Sequence, residues 1–165
     1  MAARIPNPKD VFLPPGHDHG RCSADAMAHA EALCAERGQR LTATRRRVLD
    51  ALAASHQPLG AYDVIDRLAE RGPRPAPITV YRALDFLVEN GLVHRIESRN
   101  AFVACINPHD SGAMVFLICE ICGTVGEAPS VAVAESLMAA ARSAGFVPRT
   151  PVIEIAGICS HCRNG

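Results

Sequence analysis

The sequence predicts an α+β fold: an N-terminal winged helix-turn-helix domain followed by a small α/β domain that closes on four cysteines. Three observations predict it. Four amphipathic helical patterns run in succession from Ser23 to Glu89, and two short strand patterns follow them. After Asn107-Pro108 the character changes to strands around a single helix. Two C-x-x-C pairs, Cys119/Cys122 and Cys159/Cys162, each stand at the end of an expected strand.

Residues 1–22 are rich in Pro, Gly and His and are expected to be a flexible tail. From Ser23 to about Arg37, Met27, Ala30 and Cys34 share one face of a helix, and Gly38 stops it. Thr42 caps a second helix whose apolar face carries Val48, Leu49 and Leu52. A third, from about Ala61 to Glu70, turns Val64, Ile65 and Leu68 inward, and Gly72, Pro73, Pro75 and Pro77 then break the chain. Thr79 is read as the cap of a fourth helix, with Val80, Leu84, Leu87 and Val88 on its inner face and Gly91 beyond its end. The stretch Leu92–Cys105 makes two strands around Ser98-Arg99-Asn100. Helices followed by a hairpin form a winged helix, and the helix before the wing is the recognition helix. The expected boundaries are a winged-helix domain over 23–105, a linker over 106–112 and a second domain over 113–165. In that domain Ala113–Ile118 and Thr124–Ala128 are strands, Ser130 caps a helix stopped by Gly145, and Val152–Ala156 is the last strand.

Composition narrows the function. Apolar residues make up 48 % of the chain but aromatics only 4 %, so a core forms but a thin one, of the kind that a metal or a partner subunit reinforces. The N-terminus has no apolar signal region, and no run of 18 apolar residues occurs. A cytoplasmic location is therefore expected, where thiols stay reduced and seven cysteines point to metal binding rather than disulfides. The formal net charge is zero, so any DNA binding must rest on the placement of particular arginines.

A C-x-x-C turn sets two sulfurs on one side of an ion, and two such turns complete the tetrahedron that zinc favours. Thirty-six residues separate the pairs, room for a strand, a helix and a returning strand. Cys119, Cys122, Cys159 and Cys162 are thus expected to hold a structural zinc, closed to substrate. The alternative is a redox dithiol or two unconnected pairs. A second group of donors, His94, Cys105, His109 and Glu127, spans the expected domain boundary. Two imidazoles, a thiolate and a carboxylate could neutralise and enclose a divalent ion, the thiolate favouring zinc over iron(II) or manganese(II). A surface histidine and a buried filler cysteine are the bland alternatives. His17, His19 and Cys22 in the tail are a third, weaker candidate, and Cys34 is read as buried packing.

On the DNA side, Arg45, Arg46 and Arg47 open the second helix, Thr79 stands at the start of the recognition helix as its cap, and Tyr81 and Arg82 lie in its first turn. The N-terminal residues of such a helix meet base edges in the major groove, where arginine reads guanine bidentately. Tyr62 on the third helix is a further candidate.

Several of these stretches carry a resemblance. Pro77-Ile78-Thr79-Val80-Tyr81-Arg82-Ala83-Leu84-Asp85-Phe86-Leu87 resembles the recognition-helix signature of the ferric uptake regulator superfamily. Leu41-Thr42-Ala43-Thr44-Arg45 resembles its second-helix start, and Phe116-Leu117-Ile118-Cys119-Glu120-Ile121-Cys122-Gly123 its first zinc knuckle. Leu92-Val93-His94-Arg95-Ile96-Glu97-Ser98 is similar to the zinc uptake regulator branch. The resemblance covers about residues 24–163. It implies a homodimeric, metal-responsive repressor of zinc-uptake genes, with the second domain serving dimerisation, palindromic DNA as the partner and two zinc ions per chain. It implies no enzymatic activity, no small-molecule substrate and no membrane partner. It also implies that His94, Cys105, His109 and Glu127 hold the regulatory zinc. The iron and peroxide sensors usually carry a His-rich run before the first knuckle, where this chain has only Asn107-Pro108-His109-Asp110. The rival readings are such an iron- or peroxide-sensing regulator, a metalloenzyme and a zinc buffer.

Overall fold

The computed structural model describes residues 11–14, 16–105 and 113–163. The chain divides into two compact units, Gly16–Pro108 and a second made of residues 1–15 with 109–165.

In the first unit, helices α1 (His19–Glu36), α2 (Ala43–Ala53), α3 (Ala61–Glu70) and α4 (Pro77–Glu89) precede a hairpin of β1 (Val93–Ile96) and β2 (Ala101–Ala104). The sequence marks most of the ends. Thr42 accepts from the Arg45 N–H to start α2, and Asp63 reaches back to the Gly60 N–H at 2.9 Å to start α3. Gly38 and Gly91 follow α1 and α4 with φ of +62° and +70°, the left-handed turn a glycine makes without strain.

Two starts differ from expectation. Helix α1 begins at His19, inside the stretch read as a flexible tail, because Asp18 accepts from the N–H groups of Gly20 and Arg21 at 2.9 and 3.2 Å. Helix α4 begins at Pro77, with Ala76 as the cap residue, so Thr79 lies inside the first turn and does not cap it. Proline at the first helical position needs no N–H partner and already has helical φ, which moves the start upstream.

The core of this unit is aliphatic: Val48, Leu49 and Leu52 of α2 meet Val64 and Ile65 of α3, Val80, Leu84 and Leu87 of α4, and Val93 of the wing. Each such side chain contributes roughly 1.5–3 kcal/mol by leaving water. Asn90 locks the far end of α4. Its amide donates to the Phe86 carbonyl at 2.8 Å and accepts from Arg37 at 3.0 Å, which satisfies a buried polar group and ties α1 to α4. The wing strands pair antiparallel, Val93 with Ala104 and Ile96 with Ala101. A 3-10 turn over Glu97–Arg99 joins them through Asn100, at φ +45°. Leu59 exchanges both backbone hydrogen bonds with Phe102, at 2.9 and 2.8 Å, and so fastens the wing to the α2–α3 connection.

In the second unit, β3 (Met114–Cys119) is the centre of a three-stranded sheet ordered β4-β3-β5. Strand β4 (Val125–Pro129) runs antiparallel to it, with Phe116 opposite Glu127. Helix α5 (Val131–Ser143) crosses over to β5 (Ile153–Gly157), which pairs parallel to β3 with Cys119 opposite Gly157. Ser130 occupies the cap position of α5 but makes no side-chain cap bond. A one-turn helix, α6 (Ser160–Arg163), follows. The N-terminal segment belongs here. A Cβ on Gly126 would come within 2.7 Å of Val11 Cγ1 and 2.9 Å of the Val11 carbonyl oxygen, so Val11 lies flat on β4 only because residue 126 is glycine. This is the second departure from a tail that is flexible throughout. No helix among the described residues is long and apolar enough to cross a membrane.

Candidate metal centres and nucleic-acid face

The parallel β3–β5 pairing explains how the four cysteines meet. Cys119 ends β3, and Cys159 stands two residues past the end of β5, so the register delivers both to the same end of the sheet. Each pair then turns back. Gly123, at φ +75°, lets its N–H reach the Cys119 carbonyl at 3.0 Å, while α6 carries Cys162. All four sulfurs lie within 4.8 Å of one another, and Cys122 and Cys159 are 3.9 Å apart. Around zinc, with Zn–S of about 2.3 Å, tetrahedral sulfurs stand about 3.8 Å apart.

The electrostatics fit a cation. Backbone N–H groups of Cys122 and Cys159 hold the Cys119 thiol down to about 6, and the Cys159 N–H lies 3.4 Å from its sulfur. Hydrogen bonding with Cys159, burial and the neighbouring sulfurs push Cys162 up to about 12. One thiolate forms readily, whereas four require a charge to balance them, which a divalent ion supplies. The donor set therefore fits zinc.

The mixed donor set divides between the units. In the first, His94 on β1 and Cys105 just past β2 present ligand atoms within 4.8 Å of each other. The Cys105 N–H continues the ladder to the Leu92 carbonyl at 3.0 Å, which holds its thiol at the base of the wing. Cys105 is buried and His94 half-buried. In the second unit Glu127 sits mid-strand in β4 and is buried, 1 % exposed, an unusual place for a carboxylate. His109 lies outside the described residues.

The tail candidates come together differently from the expected set. His17 and His19 meet His56, a residue of the α2–α3 connection, with ligand nitrogens of all three within 4.8 Å. Cys22 approaches His56 at 3.9 Å. Burial, with His17 and His19 alongside, lowers His56 to about 4. Burial and the carboxylates of Asp25 and Asp18 raise Cys22. His56 was missed because it lies 39 residues from His17 and has no motif of its own, and only the fold joins them.

On the recognition helix Ile78, Thr79, Tyr81, Arg82 and Asp85 are all exposed along α4, as is Tyr62 at the start of α3. The second-helix arginines are otherwise engaged. The Arg45 guanidinium lies 3.4 Å over the Phe86 ring, Arg46 pairs with Glu31, and Arg47 donates to the Leu68 carbonyl at 2.9 Å. The open face is thus built by α4 and Tyr62, and Ile78 is an exposed member of it that residue type alone did not suggest.

The fold and its cysteine cluster define a winged-helix protein with a thiolate metal centre. The chain belongs to the Ferric uptake regulator family, whose sequence profile matches residues 36–156. It is 41 % identical over 141 residues to the "Zinc uptake regulation protein" of Escherichia coli (strain K12), which covers 84 % of this chain and 81 % of that protein. It is similar to a solved structure of a "Zinc Uptake Regulator Complexed With Zinc AND DNA", with a TM-score of 0.80 and 38 % identity, covering 86 % of this chain and 95 % of the other. The crystal structure of holo XcZur gives a TM-score of 0.78 and 41 % identity, covering 87 % of this chain and 99 % of that one.

Proposed function

We propose that the protein is a zinc-responsive transcriptional repressor that acts in the cytoplasm as a homodimer on palindromic operators of zinc-uptake genes, with zinc as corepressor. The observation that carries this reading is the thiol–imidazole pair of Cys105 and His94 at the base of the wing, next in the chain to a recognition helix with an open face. The zinc uptake regulator structure with zinc and DNA supports the same reading.

The four-cysteine centre is the permanent zinc, which supports the fold of the second unit. The sensing zinc takes His94 and Cys105 from the wing, His109 from the connection and Glu127 from β4. A metal drawing ligands from both units would restrict the wing relative to the dimer axis, and so set the spacing of two recognition helices against two half-sites. The thiolate selects zinc over iron(II), which disfavours an iron or peroxide sensor. Four protein ligands at each of these two ions leave no position for a substrate, so one centre is structural, the other regulatory, and neither catalyses. Thr79, Tyr81, Arg82 and Tyr62 are the DNA-contacting residues, with Arg82 reading a base and the tyrosines meeting thymine methyl groups or phosphate. Arg45 acts mainly by bracing α4 through Phe86. Exposed Val133 and Leu137 on α5 and Ile155 on the edge strand β5 give the second unit an apolar surface suited to a second copy.

The test is a gel-shift titration against an operator in buffered free zinc, with the four-cysteine zinc retained. Affinity should rise as the sensing site fills, and Cys105→Ser should bind weakly at every zinc level. Equal affinity with and without that zinc would sink the proposal.

A further inference from the structure

We propose that His17, His19 and His56 form a further zinc site, three imidazoles with an open fourth position, which fastens the start of α1 to the α2–α3 connection. The three rings touch pairwise, with centroids 4.2, 4.6 and 5.1 Å apart. Imidazoles can also gather simply by stacking, but three features point to a ligand. Their ligand nitrogens, not only their ring faces, converge within 4.8 Å. Nδ1 of His19 is buried and has no hydrogen-bond partner among the described residues. The Nε2 atoms of His17 and His56 face each other at 2.6 Å, and adjacent nitrogens on a tetrahedral zinc stand about 3.3 Å apart, so a small separation of the two rings admits an ion between them.

The surroundings suit an ion held by neutral nitrogen donors. Asp18, the nearest acid in sequence, caps α1 by accepting from the N–H groups of Gly20 and Arg21 through one carboxylate oxygen. The donors come from two separate segments, and His17 and His19 bracket the cap residue of the longest helix. A metal there adds a cross-link from the helix start to the α2–α3 connection, beside the Asp18 cap. With no thiolate among its ligands, the site binds zinc more weakly than either cysteine-containing centre and fills at higher free zinc. It lies within the first unit and does not depend on the sensing role of Cys105.

The test compares the full chain with the H17Q/H19Q variant, in which both imidazoles become neutral amides on a segment that is only partly buried. Two readouts are taken. Zinc bound per chain, after equilibration with a chelator of known affinity, should differ by about one equivalent between the two proteins. The difference and not the total is decisive, so failure of the sensing site alone leaves it intact. Amide hydrogen exchange at Arg21–Asp25 should slow on zinc addition in the wild type and be unaffected in the variant. Equal zinc content, or exchange that responds to zinc equally in both proteins, would overturn the proposal. Circular dichroism establishes that the variant is folded.

Discussion

The backbone N–H of Cys159 points at the sulfur of Cys119 from 3.4 Å, across the end of a parallel strand pair. The last cysteine pair is therefore delivered by strand register and not by a flexible tail finding its partner. Serine at Cys119 or Cys159 should abolish metal binding at this centre and unfold the second unit, while the first keeps its helical signal. Structural zinc sites supply on the order of 10 kcal/mol of apparent binding free energy at neutral pH, more than a small sheet can replace. Circular dichroism with zinc analysis checks it, and a Cys159→Ser protein that retains the metal would contradict the assignment.

Arg82→Ala should weaken operator binding by roughly 1–3 kcal/mol and relax preference at one base position. Arg45→Ala should behave differently, lowering stability by about 0.5–1 kcal/mol through the lost contact with Phe86. Thermal unfolding and gel shifts on both variants separate the two roles.

Gly126→Ala should displace the N-terminal segment, because the new methyl would collide with both the side chain and the backbone of Val11. Overpacking of this kind destabilises by about 1–3 kcal/mol. Limited proteolysis should cut near Val11 faster in the variant.

In the absence of metal at the three-histidine cluster, His56 should remain neutral down to about pH 4. A folded-state value below the unfolded value of 6.5 means the unfolded chain takes up the proton first. The stability contributed by neutral His56 is complete above pH 6.5 and is lost as pH falls from there to about 4. Imidazole NMR titration checks this, with an ordinary midpoint near 6.5 as the contrary result.

Much of the fold was legible because its signals are local. Thr42, Gly38, Gly91 and Gly145 stand at the helix ends they were expected to mark, and the aliphatic spacing in α4 specifies its buried face directly. The four-cysteine centre was equally readable, since ligand type and spacing together define the ion. What could not be read was whatever depends on contacts distant in sequence. Pro77 took the start of α4 from Thr79, a contest between two adjacent signals that composition does not decide. The tail gained order from two separate sources, the Asp18 cap and the fit of Val11 on Gly126, and His56 joined His17 and His19 only through the packing of α1 against α2.

The parallel pairing of β3 with β5 has a consequence for how the chain reaches this state. A hairpin such as β3–β4 forms as soon as its two halves exist, but β3 cannot acquire its second neighbour until α5 and the whole crossover have been made. During synthesis Cys119 and Cys122 are therefore exposed as a two-thiol half-site well before Cys159 and Cys162 emerge. Any metal caught in that interval is bound by half the final ligands and exchanges freely. Tight retention begins only when the crossover closes, so metal loading and completion of the sheet are one event, and a chain stalled before β5 should release zinc to a chelator that cannot strip the finished protein.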